Sequence, residues 1–361
     1  IRDAEESRGL GDVYKRQVYH IMEDDKGNLW FSTKGDGLVK AVPDKKAPYG
    51  FRFIRYLHDA ADPASISGND VYFTYQDSKK RIWVGSLDGG LNLMCEENGV
   101  TTFRNKYNGF KNYPTYGLYM EVRNMIEDGE GRMWVGTMDG LMSFKNDFAS
   151  TEQIEFETYR GENRVNFADS DVYALYKDEA SQIWVCVFGG GLNKLIGYDE
   201  RTHQPLFKSY GWEDGLNNDV VVSIAEDDNG NLWLTTETGL SCFDNSTGQV
   251  RNYDKYDGFP SVEMEEGTLL KTLDGELWLG CKEGILSFFP DKLETQRFDY
   301  KTFIVGCQIS NRDIRSYTET PIIDKSITYT DRITLNYNQS MFTLEFAALN
   351  YNNPVSYTHL T

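Results

Sequence analysis

The chain has 361 residues, 40% of them hydrophobic and 14% aromatic, which suffices for a folded core and excludes a disordered chain. A formal net charge of −19 repels phosphate backbones and anionic lipid, which argues against direct nucleic-acid contact and a polybasic membrane contact by this segment. No run of about 20 apolar residues offers a membrane-spanning helix, and five cysteines without a CxxC pair indicate neither a zinc site nor a disulfide framework.

At the N-terminus, residues 1–17 (IRDAEESRGLGDVYKRQ) do not fit the pattern that begins at Val18. They read as a non-native scar of the adapter or cloning type, as do residues 354–361 (PVSYTHLT) at the other end. From Val18 onward the text repeats. Trp30, Trp83, Trp134, Trp184, Trp233 and Trp278 recur at spacings of 53, 51, 50, 49 and 45 residues. The surrounding segments align: EDDKGNLWFSTKGDGL, QDSKKRIWVGSLDGGL, EDGEGRMWVGTMDGL, KDEASQIWVCVFGGGL, EDDNGNLWLTTETGL and KTLDGELWLGCKEGI. A period of this length indicates stacked supersecondary units.

Each copy reads as four strands, here called a to d. In the second, VYFTYQ (71–76) is strand a, IWVGSL (82–87) strand b, LNLMCE (91–96) strand c and VTTFRNKY (100–107) strand d. Polar and Gly-containing turns join them, with Asp-Gly-Gly and Asn98-Gly99 as hairpin signals. On strand b the residue after each Trp is large and apolar, and the next is small (Ser32, Gly85, Gly136, Cys186, Thr235, Gly280). Alternate residues face opposite sides of a sheet, so both faces suit burial. A sheet covered on both sides and repeated in series is a blade between blades. The fold expected is therefore all-β: a β-propeller over 18–296 with six blades present of seven, then an incomplete β-sandwich over 297–353. Twelve residues before Trp stand Val18, Val71, Val122, Val172 and Val221, but Glu266 in the sixth copy, whose inner strand is expected to be irregular. After Pro290 the period ends, and TFIVGCQI (302–309) and RITLNYNQSMFTLEFAALNY (332–351) read as strands of the second module.

The copies ending in DxxGxLWxGTxxGL resemble the two-component regulator propeller repeat, and ITLNYNQSMFTLEFAALNYNNP resembles the start of the triple-tyrosine (Y_Y_Y) sandwich domain. Their order is similar to the sensor region of Bacteroidetes-type hybrid two-component systems. That resemblance implies a periplasmic, glycan-sensing part of an inner-membrane receptor, homodimeric at full length. A histidine kinase, receiver and DNA-binding domain would follow, and the output would be polysaccharide-utilisation genes.

Two families of loops result from four antiparallel strands per blade. The short a–b turns carry Asp six residues before Trp in five copies: Asp24, Asp77, Asp128, Asp178 and Asp227. They could hold calcium, but an acceptor repeated in nearly every blade reads first as a hairpin cap. No metal site and no cofactor is assigned. The d–a links and b–c turns are more varied and can carry recognition. An oligosaccharide needs aromatic platforms and fixed polar groups. The candidates are Trp212, Tyr116, Tyr119, Arg123, Arg164, Asn166, Asn217, Lys34 and Lys282, of which Trp212 is the one Trp outside the repeat register. Each could equally serve loop packing. No catalytic residue is assigned, since HExxH, GxSxG and phosphate-binding Gly loops do not occur. A propeller lyase or glycosidase, and a protein-binding scaffold, remain the alternatives.

Overall fold

The computed structural model describes residues 17–160, 171–253, 257, 259–260, 262–293, 302–309, 312–314, 323, 325–337, 339 and 341–348. The chain divides into two compact units, Ile1–Lys255 with Phe259–Lys292, and Tyr256–Gly258 with Leu293–Thr361. The first holds five four-stranded antiparallel sheets and a three-stranded sixth. Blade 1 is β1 (Val18–Glu23), β2 (Leu29–Thr33), β3 (Leu38–Pro43) and β4 (Phe51–Tyr56). Blade 2 is β5 (Val71–Gln76), β6 (Ile82–Ser86), β7 (Gly90–Glu97) and β8 (Val100–Arg104). Blade 3 is β9 (Val122–Glu127), β10 (Arg132–Thr137), β11 (Gly140–Lys145) and β12 (Glu157–Tyr159). Blade 4 is β13 (Val172–Lys177), β14 (Ile183–Val187), β15 (Gly191–Tyr198) and β16 (Pro205–Tyr210). Blade 5 is β17 (Val221–Glu226), β18 (Leu232–Thr236), β19 (Gly239–Phe243) and β20 (Val250–Tyr253). Blade 6 is β21 (Leu270–Lys271), β22 (Leu277–Cys281) and β23 (Gly284–Phe288). Successive inner strands β1, β5, β9, β13, β17 and β21 touch in turn and surround a central channel.

One interface repeats between blades. Trp30 packs with Val71 and Val84 of the next blade, and Trp83 with Val122, Met125 and Val135. Trp134 packs with Val172, Leu175 and Val185, and Trp184 with Val221, Ile224 and Leu234. The small residue two places after Trp makes room for this. A Cβ on Gly85 would stand 2.6 Å from Val122 Cγ1, and one on Gly136 would stand 2.8 Å from Val172 Cγ1. Strand b is accordingly buried on both faces in blade 2, blade 4 and blade 5.

The two ends of the series lack this cover. Val18 and Ile21 are 49% and 57% exposed, whereas Val71, Val122, Val172 and Val221, the counterparts of Val18, are fully buried. Trp278 is 41% exposed, while the other five repeat tryptophans are at most 2% exposed. The expectation of a four-stranded sixth copy is met only in part. Its inner strand shrinks to Leu270–Lys271, and it has no fourth strand among the described residues. The cause lies in the departure noted in the sequence: Glu266 and Gly267, the latter at φ +64°, form a turn where the other blades begin a strand.

In the second unit, β24 (Thr302–Ile309) pairs antiparallel with β26 (Phe342–Ala348) and with the short β25 (Arg312–Asp313). The FTLEFAA strand forms as its alternation predicts, but Arg332–Tyr337, also expected as strand, is irregular. Among the described residues no helix is long and apolar enough to cross a membrane.

Candidate functional site

The repeated aspartates are structural clamps. Asp24, Asp77, Asp128, Asp178 and Asp227 each accept the indole N–H of their own Trp through Oδ2, at 2.8–2.9 Å. Oδ1 caps the a–b hairpin, accepting for instance the Lys26 and Asn28 amides at Asp24 and the Glu130 and Arg132 amides at Asp128. Burial alone would raise the Asp24 carboxyl. Hydrogen bonds from Asn28, Trp30 and backbone amides instead hold it below its ordinary value. The hairpin cap was legible in the sequence, whereas the indole bond was not. Its only signal was the fixed six-residue interval. Blade 6 has Thr272 at that place, and Trp278 Nε1 donates to Glu276 Oε2 at 2.7 Å instead.

The residues expected to contact a ligand separate into three groups. Trp212 and Tyr116 are exposed, at 70% and 59%. Trp212 opens a one-turn 3-10 helix, Trp212–Asp214, whose backbone N–H donates to Asp219 Oδ1 at 2.5 Å. Tyr116 shares a hydroxyl hydrogen bond with Thr158 and lies 5.4 Å, ring to ring, from Tyr119. No hydrogen bond or ring contact joins Tyr116 to Trp212. Lys34 and Lys282 are surface cations, one 5.9 Å from the Tyr19 ring and the other paired with Glu263 at 2.5 Å.

A second group is engaged within the fold. Tyr119 is buried, and burial with the nearby Asp139 charge pushes its hydroxyl up to about 12. Asn217 uses Oδ1 to accept from Thr236 and Ser241, which ties the d–a link to the b–c turn of blade 5. Arg123 sits on β9 and turns into the central channel, not onto a loop. Loop composition had suggested otherwise, because Arg123 follows directly on the aromatic link Tyr113–Tyr119, where the chain already enters the inner strand. Arg164 and Asn166 form the third group and lie outside the described residues.

Arg123 is the hub of a buried polar cluster. Its guanidinium lies 3.0 Å from Asp171 Oδ1, donates to Glu266 Oε2 at 2.6 Å and stands 4.4 Å over the Tyr173 ring. The Tyr72 hydroxyl donates to the same Glu266 oxygen at 2.7 Å. Burial alone would push the Arg123 guanidinium down, but the Glu266 and Asp171 charges hold it above its ordinary value. Burial and the Glu266 charge push the Tyr72 hydroxyl up. Blade 2, blade 3, blade 4 and the Glu266 turn ahead of blade 6 thus meet across the channel. Beside them lies a cavity of about 190 Å3, also lined by His20 and Asn124. Burial lowers His20 to about 4, so its ring is neutral near pH 7. Sequence reasoning named Arg123 but did not bring these residues together. The Glu266 departure in the sixth copy was the available signal.

The "Two component regulator propeller" family model matches residues 15–35, 117–139 and 215–238. Those three segments, in blades 1, 3 and 5, match the two-component regulator propeller repeat. The chain is also similar to the protein named Histidine kinase P4 from Formosa agariphila, 24% identical over 93% of this chain and 24% of its own length. The chain therefore spans about a quarter of that relative. Among solved structures, PorZ, a surface component of the type-IX secretion system of Porphyromonas gingivalis, matches at TM-score 0.56 and 14% identity over 92% of this chain and 51% of its own. The β-propeller domain of Cps50 (Swd1) from Myceliophteria thermophila matches at TM-score 0.51 and 14% identity over 75% of this chain and 83% of its own, which shows the propeller fold. The extracellular domain of a putative hybrid two-component system from B. thetaiotaomicron is 21% identical over 92% of this chain and 47% of its own, at TM-score 0.46.

Proposed function

We propose that this chain is the extracytoplasmic sensing region of a hybrid two-component histidine kinase, that it binds glycan fragments, and that it signals to polysaccharide-utilisation genes. The repeat family and the histidine-kinase relative support the signalling part. The observation that carries the ligand part is Trp212, a large aromatic left 70% exposed on a link anchored between two buried blades. Such a ring offers a flat apolar face to a sugar at little conformational cost. Tyr116 supplies a second exposed ring. Lys34 and Lys282 are too few and too dispersed to select a strongly acidic glycan.

In this reading the protein lies in the periplasm, dimerises at full length, and passes ligand binding to the kinase through a Y_Y_Y-type sandwich that begins with β24 and β26. Signalling then requires that the ligand bind one dimer arrangement better than another. The test is a glycan-array screen followed by calorimetry with Trp212→Ala and Tyr116→Ala. At least a tenfold weaker oligosaccharide affinity is expected for Trp212→Ala, with an unchanged melting temperature. Unaltered affinity removes Trp212 from the site. Appearance of cleaved product on incubation with the bound glycan would favour the enzyme reading instead.

A further inference from the structure

We infer that Asn98, at the tip of the β7–β8 hairpin, is a self-modification site: its side-chain amide reacts with water, by way of the Gly99 backbone nitrogen, to give aspartate and isoaspartate. This stands apart from the sensing reading and does not depend on it. The sequence holds three Asn-Gly pairs, Asn98-Gly99, Asn108-Gly109 and Asn229-Gly230. Asparagine is a chemically labile residue. A following Gly, with no Cβ, leaves the attacking nitrogen least hindered. As dipeptides the three are equal, and the fold separates them.

Two of the three are locked. The Gly109 N–H donates to the Asn105 carbonyl at 2.9 Å. Both ends of the Asn108 amide are bonded, Nδ2 to the Phe103 carbonyl at 2.8 Å and Oδ1 to the Asn105 N–H at 2.9 Å. Gly109 is also buried, and a Cβ there would stand 2.9 Å from Arg104 Cβ. The Gly230 N–H donates to the Asp227 carbonyl at 3.1 Å, and Asn229 Nδ2 donates to Asp291 Oδ1 at 2.9 Å. In both pairs the attacking nitrogen and the amide are held by separate partners, and those bonds must break before the two can meet.

Asn98-Gly99 carries none of these restraints. Both residues are exposed, and among the described residues neither the Asn98 amide nor the Gly99 N–H has a hydrogen-bond partner. A Cβ on Gly99 would meet nothing within 4 Å. The pair forms a two-residue hairpin turn at φ +53° and +78°. Rotating Asn98 to bring Cγ onto the Gly99 nitrogen loosens only this turn and the exposed Glu97–Val100 pair that closes it.

The reaction balances with water as its one co-reactant. The Gly99 nitrogen attacks Asn98 Cγ, a C–N bond forms, the Cγ–Nδ2 bond breaks, and ammonia leaves with the Gly99 proton. Water then opens the cyclic succinimide. Addition at Cγ gives aspartate, and addition at the Asn98 main-chain carbonyl gives isoaspartate. Either product adds a negative charge beside Glu96 and Glu97. Isoaspartate also lengthens the main chain by a methylene at the turn that sets the Met94–Phe103 register, and Phe103 belongs to the core around Trp30.

The experiment ages the 361-residue protein in warm, mildly alkaline buffer, with a parallel sample unfolded in urea, and maps both by digestion and mass spectrometry. In the folded protein Asn98 is expected to lose its amide at least tenfold faster than Asn108 and Asn229. Part of the product should resist an aspartate-specific endoprotease, as isoaspartate does. In urea the three sites are expected to converge. Asn98→Gln should remove the acidic shift of the aged folded protein on anion exchange. The inference is overturned if Asn108 or Asn229 reacts as fast as Asn98 in the folded protein, or if Asn98 keeps its amide while the unfolded sample loses it. It is equally overturned if the tenfold order persists in urea, where sequence neighbours and not the fold would set it, or if the acidic shift survives in Asn98→Gln.

Discussion

Replacing Trp134 with Ala and Trp278 with Ala makes the same chemical change at two registers of one repeat, yet the expected costs differ. Trp134 is fully buried against Val172, Leu175 and Val185 of the next blade, and its indole is held by Asp128 at 2.9 Å. Its removal leaves a cavity and an unpaired acceptor, at a cost of about 3–5 kcal/mol. Trp278 is 41% exposed and has no following blade over its ring among the described residues. The area still covered is worth about 1–2 kcal/mol. Urea unfolding of the two variants, read as midpoint with the slope checked for constancy, should separate them by about 2 kcal/mol. Equal losses would refute the argument that interblade cover sets the worth of the repeat Trp. In a longer protein that seats a seventh blade against Trp278, the two costs should converge, which makes the same pair a test of the expected blade number.

Three further outcomes follow from the clamps and the channel. Asp178→Ala should cost about 1–3 kcal/mol in a urea titration, since it orphans the Trp184 indole N–H and the Gln182 amide; a change below ~0.5 kcal/mol would show that water replaces the carboxylate. Arg123→Met should destabilise by about 3–5 kcal/mol, because it leaves Asp171 and Glu266 facing each other without their cation, and Arg123→Met with Glu266→Gln should recover part of that loss. An additive double variant would mean that the two residues do not couple. His20 stays unprotonated in the folded protein down to about 4, while the unfolded chain takes up its proton near 6.5. Its contribution is therefore complete above pH 6.5 and lost as the pH falls toward 4, by up to about 3 kcal/mol. The decline in urea midpoint from pH 7 to 4.5 should be shallower in His20→Phe, and an identical slope would contradict a buried neutral His20.

The sequence by itself determined the blades. A Trp flanked by a large and then a small residue, six times over, encodes a strand buried on both faces, because the two-residue period of a strand fixes which neighbours share a side. Turn positions followed from Gly and Asp chemistry, and the irregular sixth inner strand from Glu266. The tertiary structure alone decided what meets across the ring. That Asp24 holds the Trp30 indole needs the hairpin closed, and that Glu266 reaches Arg123 and Tyr72 needs segments 143 and 194 residues apart brought to one axis. Local periodicity carries no information about such separations. For the same reason the loop residues divided as they did. Exposure left Trp212 and Tyr116 available, while the packing of successive blades turned Arg123 inward and buried Tyr119.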